Sequence, residues 1–193
     1  MRTLTLVLAA AVILASSAPA SAQVQSHGPE LFPGKLQVGV SVVGVQAGFE
    51  NLSPSGYKLT TDIAGLIAPL SIGGIWIGGG INYTAGVFSC DVHNCGGDLQ
   101  LWAFAMLTFE KLIPIPLVPF VRAGFGGDAL FYDPTFGAFI FRFGGGVHYY
   151  LLKWLGVGLE TNFTLGAGFY NNVNGGTAFY GTWDFGIGAR FAF

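Results

Sequence analysis

The last fifteen residues of the chain, 179–193, alternate between apolar and polar positions. Every odd-numbered position in this segment holds a Phe, Trp, Ile, Ala or Gly, whereas Asp184 and Arg190 stand at even-numbered positions. Because successive side chains of a β-strand point to opposite faces, the segment predicts a strand with one apolar face and one polar face. The apolar series continues to the terminal Phe193. This pattern is typical of a strand with lipid on one side and a polar interior on the other.

The overall composition excludes an ordinary water-soluble domain. Charged residues make up 9% of the chain, whereas about 25% is usual for soluble domains. Hydrophobic residues make up 52%, and 31 of the 193 residues are Gly. A soluble globule needs a charged surface, which this chain cannot supply. The net charge of −2 also predicts no nucleic-acid partner, because such a partner requires a basic patch.

The first 22 residues have the three parts of a secretory signal peptide. Arg2 precedes an apolar run over 4–15, and Ala20, Ser21 and Ala22 match a cleavage site. The apolar run is twelve residues long, too short for the roughly 20 residues that a membrane-spanning helix needs. We therefore expect residues 1–22 to be a signal peptide that is removed on export.

The rest of the chain divides into eight segments with strand-like alternation, separated by stretches of Gly, Pro, Asn, Asp and Ser, which favour turns. The predicted strands cover 36–49, 57–67, 72–88, 98–111, 118–131, 137–150, 155–169 and 178–193. The first strand loses its alternation at Val43, Gly44 and Val45, which predicts a bulge. Hydrocarbon admits only helices and closed barrels, since backbone groups must pair internally. The predicted fold is therefore all-β, an eight-stranded antiparallel up-and-down transmembrane β-barrel over 36–193.

Most of the charged residues in these segments share the predicted inner face. The nine residues concerned are Lys58, Asp62, Glu110, Arg122, Asp128, Arg142, Glu160, Asp184 and Arg190. An interior of eight strands is about wide enough for side chains alone, and buried charges are tolerated only when they are paired. We therefore favour a structural ion-pair network that plugs the barrel over a pore lining or gate.

The fourth segment departs from this pattern, because its inner face carries large apolar side chains. Trp102, Phe104 and Met106 share that face, and Trp76 falls on the inner face of the third segment. These four residues define a second hypothesis, an apolar pocket for the binding or passage of small hydrophobic molecules.

Several parts of the chain together resemble a known group of proteins, namely the signal peptide and the stretches 119–127, 143–150, 155–160 and 188–193. The group is the small eight-stranded outer-membrane β-barrel proteins of Gram-negative bacteria, which include the OmpA-, OmpX- and OmpW-like families. The resemblance implies location in the bacterial outer membrane, with a short periplasmic N-terminal segment over 23–35 and outer-membrane lipid around the barrel. It also implies that the final strand, ending in Phe191 and Phe193, is the signal read by the outer-membrane assembly machinery. Resemblance to the OmpW-like family implies that the interior could bind a small hydrophobic ligand.

The two cysteines, Cys90 and Cys95, lie in a predicted outer loop. In an exported protein, a closely spaced pair of this kind is most simply a disulfide. The alternative is a metal site that adds Asp91 and His93, but zinc favours four ligands at wider spacing. We therefore expect a disulfide and no metal.

Some barrels of this group are enzymes that modify lipid A, and His148 with Glu160 invites that comparison. A deacylase of this type needs a serine nucleophile close to its histidine. Tyr150 stands where a His-x-Ser pattern would place that serine. We expect no catalysis and no cofactor. The leading hypothesis is a structural or interaction role in the outer membrane, ahead of binding hydrophobic molecules and of lipid modification.

Overall fold

The computed structural model describes residues 35–46, 56–85, 97–131, 136–169 and 177–193. Within these ranges the chain forms eight strands: β1 (Leu36–Gln46), β2 (Gly56–Pro69), β3 (Gly74–Ala85), β4 (Asp98–Thr108), β5 (Leu117–Leu130), β6 (Phe136–Leu152), β7 (Leu155–Phe169) and β8 (Thr177–Ala192). Each strand pairs antiparallel with the next, and β8 pairs with β1 to close a barrel. The described ranges contain no helix of the length and hydropathy that a membrane-spanning helix requires. The predicted eight-stranded antiparallel barrel is confirmed.

The two ends of the barrel differ in their connections. Both the start of β1 and the end of β8 lie at one end, together with the turns 70–73, 109–116 and 153–154. We call this the terminal end. The other four connections, which follow β1, β3, β5 and β7, belong to the opposite end, and most of their residues fall outside the described ranges. We call this the loop end.

The strand boundaries fall close to the predicted ones, but the predicted bulge in β1 is wrong. β1 keeps an unbroken register with both β2 and β8. The alternation is lost for another reason: Val43 points inward with only 1% of its surface exposed, so an apolar side chain occupies an inner position. The register shifts instead between Leu66 and Ala68 in β2, and between Tyr150 and Leu152 in β6, next to the turns of the terminal end.

The polarity of the barrel is the reverse of that of a soluble protein. Its outer face carries large apolar side chains, of which Phe125, Phe141 and Phe185 expose 59%, 45% and 53% of their surface. Its inner face carries the charged side chains of the strands, and these are buried. The period-two alternation of each strand therefore places the two classes of side chain on opposite sides of one wall.

Glycines on the inner face leave room for the large charged side chains. A Cβ atom added at Gly39 would lie 2.8 Å from both Arg190 Nη2 and Asp62 Oδ1. Gly44 stands on the same strand but on the outer face, where an added Cβ would meet only a backbone oxygen of Phe185, at 3.8 Å. At position 39 the ends of the Arg190 and Asp62 side chains therefore occupy the space that a Cβ would take, whereas position 44 is open.

The substitution Gly39→Val is expected to destabilise the barrel, because the added methyl groups would push Arg190 and Asp62 out of place. Overpacking of this kind costs about 1–3 kcal/mol. The measurement is the free energy of unfolding in urea, followed by tryptophan fluorescence of the full chain refolded in lipid vesicles. Gly44→Val is the matched control and should keep or raise the wild-type value, since β-branched side chains favour strands. Equal loss of stability in the two variants would contradict this packing.

Candidate functional site in the barrel interior

One group of ion pairs is centred on Arg122, which β5 directs into the interior. Its Nη1 lies 3.0 Å from Asp62 Oδ2, and its Nη2 lies 2.7 Å from Glu160 Oε2. Its Nε donates a hydrogen bond to Asn162 Oδ1 at 3.1 Å. Asp62 comes from β2 and Glu160 from β7, so one guanidinium joins three parts of the wall. Charge-assisted hydrogen bonds of this type are roughly twice as strong as neutral ones.

Arg190 extends this group from β8. Its Nη1 lies 3.1 Å from Asp62 Oδ1, and its Nη2 donates to Asp62 Oδ2 at 3.2 Å. Asp62 is therefore bound by two guanidiniums. Glu160 has two contacts besides the one with Arg122. Its Oε1 lies 3.3 Å from His148 Nε2, and its Oε2 accepts a hydrogen bond from Ser41 Oγ at 3.4 Å.

A second group surrounds Asp184, which β8 directs inward. Lys58 Nζ and Arg142 Nη2 both lie 3.2 Å from Asp184 Oδ2. Asn162 Nδ2 donates to Asp184 Oδ1 at 2.9 Å. Because Asn162 also accepts the hydrogen bond from Arg122, it connects the two groups. We refer to their ion-paired residues as the ion-pair network: Lys58, Asp62, Arg122, Arg142, Glu160, Asp184 and Arg190.

Asp128 lies in the interior but outside the ion-pair network. Its Oδ2 accepts hydrogen bonds from Tyr180 at 2.5 Å and from Gln100 Nε2 at 3.0 Å. The same Gln100 nitrogen donates to Asp98 Oδ2 at 2.8 Å. Asp98 is only 5% exposed, yet it is absent from the predicted inner charges. The alternation of β4 could have identified it, because Asp98 shares the face of Gln100 and Trp102.

Glu110 does not join either set of inner charges, and its predicted place in the network needs correction. β4 ends at Thr108, so Glu110 lies in the turn 109–116 at the terminal end. Beyond the last residue of a strand, alternation no longer fixes the direction of a side chain. Glu110 forms no ion pair with any residue of the described ranges, and its buried Oε2 has no hydrogen-bond partner among them.

The four residues of the hypothetical apolar pocket lie together in the interior. Trp76, Trp102, Phe104 and Met106 belong to one buried cluster, in which none of the four exposes more than 4% of its surface. The Trp102 ring also contacts two guanidiniums, because the Cζ atoms of Arg122 and Arg142 lie 5.3 and 5.2 Å from its centroid. These distances are within the range of cation–π interactions. The aromatic side chains thus pack directly against the ion-pair network.

Ser41, Glu160 and His148 form a chain of contacts whose order differs from that of a catalytic triad. In a triad the histidine lies between the serine, whose proton it takes, and the acid. Here Glu160 lies between the other two, 3.4 Å from Ser41 Oγ and 3.3 Å from His148 Nε2. All three residues are buried. The arrangement therefore places a carboxylate, and not the histidine, beside the serine hydroxyl.

The final strand is fixed to its last residue. Phe193 N donates to Leu36 O at 2.8 Å, and Leu36 N donates to Phe193 O at 3.2 Å. The Phe191 ring stacks on Trp154 with 6.3 Å between the ring centroids. Both phenylalanines thus belong to the seam at which the barrel closes, and their role as an assembly signal stays a prediction.

Several predicted features fall outside the described residues. Cys90 and Cys95, with Asp91 and His93, belong to the segment 86–96, and the signal peptide and nearly all of 23–35 precede the first described residue. The disulfide and the signal peptide therefore stay predictions. Among the residues that the structure describes, no group of three or more His, Cys, Asp or Glu side chains is placed to hold a metal ion.

Comparison with known proteins supports the fold. No family model and no curated protein sequence matches this chain. Its structure is similar to that of Neisserial surface protein A, with a TM-score of 0.63 and 11% identity, over 82% of this chain and 97% of the other. It is also similar to the outer membrane enzyme PagL, with a TM-score of 0.48 and 15% identity over 81% and 99% of the two chains. Ail, the attachment invasion locus protein of Yersinia pestis, gives a TM-score of 0.46 and 13% identity over 82% and 99%. The resemblance to small eight-stranded barrels is confirmed for the fold.

Asp184→Asn is expected to destabilise the barrel, because it removes the anion shared by Lys58 and Arg142 while keeping the shape of the side chain. Breaking a buried ion pair by removing one partner costs about 3–5 kcal/mol. Urea unfolding of the barrel in lipid vesicles measures this loss. Glu110→Gln is the control, since it neutralises an acid that forms no ion pair with a described residue and should lower stability less than Asp184→Asn does. If both variants unfold at the wild-type urea concentration, the network does not stabilise the barrel.

Proposed function

We propose that this protein is an integral outer-membrane β-barrel with a structural or interaction role, and that the ion-pair network closes its interior. The proposal depends on one observation, the combination of buried charge inside with exposed apolar surface outside. On the outer face of β8 alone, Phe179, Trp183 and Ile187 expose 65%, 51% and 67% of their surface. A large apolar surface of this kind drives aggregation in water, whereas the hydrocarbon of a membrane favours it.

The strands have the dimensions that a membrane requires. The shortest of the described strands, β1 and β4, each contain 11 residues. A tilted strand needs about 9–11 residues to cross the hydrocarbon core. Closure between β1 and β8 also leaves no strand edge with unpaired backbone groups, which lipid could not satisfy.

The packing of the interior supports closure. The three arginines of the network expose at most 3% of their surface, and each lies against a carboxylate. A barrel of eight strands has room for little more than its own side chains. A closed barrel can still serve as an anchor that presents the connections of its loop end to the medium, which is the interaction role that we infer.

The arrangement of the ends supports an orientation and two partners. An even number of antiparallel strands places both chain ends on the same side, and in bacterial barrels this is the periplasmic side with the short turns. We infer that the terminal end faces the periplasm and that outer-membrane lipid surrounds the wall. We further infer that the assembly machinery binds the last strand at Phe191 and Phe193.

Phe185→Arg tests the membrane directly, because it places a charge on the outer face at the centre of β8. In a membrane barrel this change should lower the free energy of unfolding in vesicles by about 2–4 kcal/mol. Phe179→Arg, near the loop end of the same strand, is the matched control and should cost about 0–1 kcal/mol, since a charge near the interface stays hydrated. The two phenylalanines are similarly exposed, at 53% and 65%. A barrel surrounded by water would tolerate both changes equally, and that result would overturn the proposal.

A closed interior predicts that the full-length protein does not conduct ions steadily in a planar lipid bilayer. Resistance to alkaline washing and a change of gel mobility on boiling show independently that the protein has inserted and folded. Long-lived channels formed by the wild-type protein would contradict closure.

A second experiment separates closure from the apolar-pocket hypothesis. Uptake of a small apolar solute into vesicles should be equal for the wild-type protein and Trp102→Ala if the aromatic cluster is only packing. Uptake that requires Trp102 would favour the pocket instead.

A further inference from the structure

On β3, β4 and β5, four buried oxygen atoms near the loop end have no hydrogen-bond partner in the described part of the chain. They are Asn82 Oδ1, Thr84 Oγ1, Asp98 Oδ1 and Asp128 Oδ1. None of the four residues exposes more than 5% of its surface. Buried polar atoms are almost always hydrogen-bonded, and each exception requires an explanation such as an unseen water or ion. We call these four residues the outer oxygen cluster.

The strand register brings the members of this cluster together. Thr84 on β3 lies opposite Asp98 on β4, and Gln100 lies opposite both Asn82 on β3 and Asp128 on β5. Side chains that face each other on adjacent strands have Cβ atoms about 4.5–5.5 Å apart. The cluster therefore occupies two consecutive inner rows on three adjacent strands.

Gln100 holds the two carboxylates of the cluster at one point. Its Nε2 donates to Asp98 Oδ2 at 2.8 Å and to Asp128 Oδ2 at 3.0 Å. Its Oε1 accepts a hydrogen bond from Asn82 Nδ2 at 2.9 Å. Tyr180 adds a further hydrogen bond to Asp128 Oδ2. In each carboxylate one oxygen is thus fixed by neutral donors, and the other oxygen is left without a partner.

The nearby cations are bound elsewhere. Lys58 lies opposite Thr84 in the register, but its Nζ is 3.2 Å from Asp184. Arg142 also binds Asp184, and its Nη1 reaches only Gln100 Oε1, at 3.4 Å. No ion pair to Asp98 or Asp128 is formed by any described residue.

Among the residues that the structure describes, the buried acids outnumber the buried cations by one. The interior contains five buried carboxylates, those of Asp62, Asp98, Asp128, Glu160 and Asp184, against the four cations Lys58, Arg122, Arg142 and Arg190. The two carboxylates without an ion pair are both at the loop end. Burying two such charges side by side without a counter-ion is unfavourable.

We propose that the outer oxygen cluster binds a hard divalent cation of the Ca²⁺ or Mg²⁺ class. Such ions take oxygen ligands from carboxylates, amide carbonyls and water, and the four free atoms of the cluster are all oxygens. With only two acidic members, the site depends on the neutral oxygens of Asn82 and Thr84 to complete its ligands. The cluster contains no thiol or imidazole, the ligands that zinc and the softer metals prefer. A divalent cation here would also balance the two carboxylate charges of Asp98 and Asp128, which have no ion-pair partner among the described residues.

The experiment uses the full chain, refolded in detergent micelles and freed of metal with EDTA. Addition of CaCl₂ should raise the unfolding temperature with a saturable dependence on concentration, because a ligand that binds only the folded state stabilises it. MgCl₂ in a parallel titration shows which ion of the class is preferred. Tb³⁺ should replace Ca²⁺ and show luminescence sensitised by Tyr180, whose hydroxyl donates a hydrogen bond to Asp128.

Asp98→Asn should weaken Ca²⁺ binding by about 10- to 100-fold or more, since even the loss of an outer-shell partner has an effect of that size. Glu110→Gln is the matched control, because it removes the same charge outside the cluster and should keep the wild-type affinity. Heat-dependent gel mobility verifies that each variant is folded. The proposal fails if the folded wild-type protein shows no response to Ca²⁺, Mg²⁺ or Tb³⁺, or if both variants lose affinity equally.

A shared proton is the competing explanation for the two carboxylates. In that case Ca²⁺ would not change the unfolding temperature of the wild-type protein, and Asp98→Asn would raise that temperature in the absence of metal. That combination would overturn the cation site. It would leave the membrane proposal unaffected, because Phe185→Arg and Phe179→Arg test the outer face separately.

Discussion

A closed barrel with an apolar outer face must keep its charged side chains inside, and the rest of this structure depends on how those charges are paired. The ion-pair network connects strands that are not neighbours: Arg122 on β5 reaches Asp62 on β2, and Lys58 on β2 reaches Asp184 on β8. Backbone hydrogen bonds join only adjacent strands, whereas these contacts cross the interior. Since a buried charge that loses its partner is strongly destabilising, the network disfavours every arrangement of the wall that separates these pairs.

The alternation of side chains links this interior to the outer face. A shift of one residue in register would turn every side chain of a strand to the opposite face. On β8 such a shift would turn Asp184 and Arg190 outward and Phe185 inward. Such a shift would both break ion pairs inside and expose charge outside. The alternation of side chains therefore fixes the register through the inner face and through the outer face. Inner glycines contribute to this specification, because at Gly39 the ends of the Arg190 and Asp62 side chains occupy the space that a Cβ would take.

Local alternation predicts the strands and the direction of most side chains, because both depend only on neighbouring residues. Glu110 shows where this information ends, since the side chain lies beyond the last residue of β4. The ion-pair partners could not be predicted in the same way. Arg122 and Asp62 are 60 residues apart, and which inner side chains meet depends on the stagger of the closed barrel, which alternation does not encode. Trp102 shows the same limit: its neighbours on β4 predict an apolar pocket, but its ring packs against the guanidinium of Arg122.

The two ends of the interior differ in how completely their charges are paired, and this difference bears on function. Asp62 and Glu160 each have an arginine partner, so a ligand could bind them only by displacing contacts that stabilise the barrel. Asp98 and Asp128 instead share one amide nitrogen and have no cationic partner in the described ranges. A buried polar group that lacks a partner gains more free energy from a ligand than one already satisfied. The proposed closure and the proposed cation binding can therefore coexist in one narrow barrel, because they use different carboxylates at different heights.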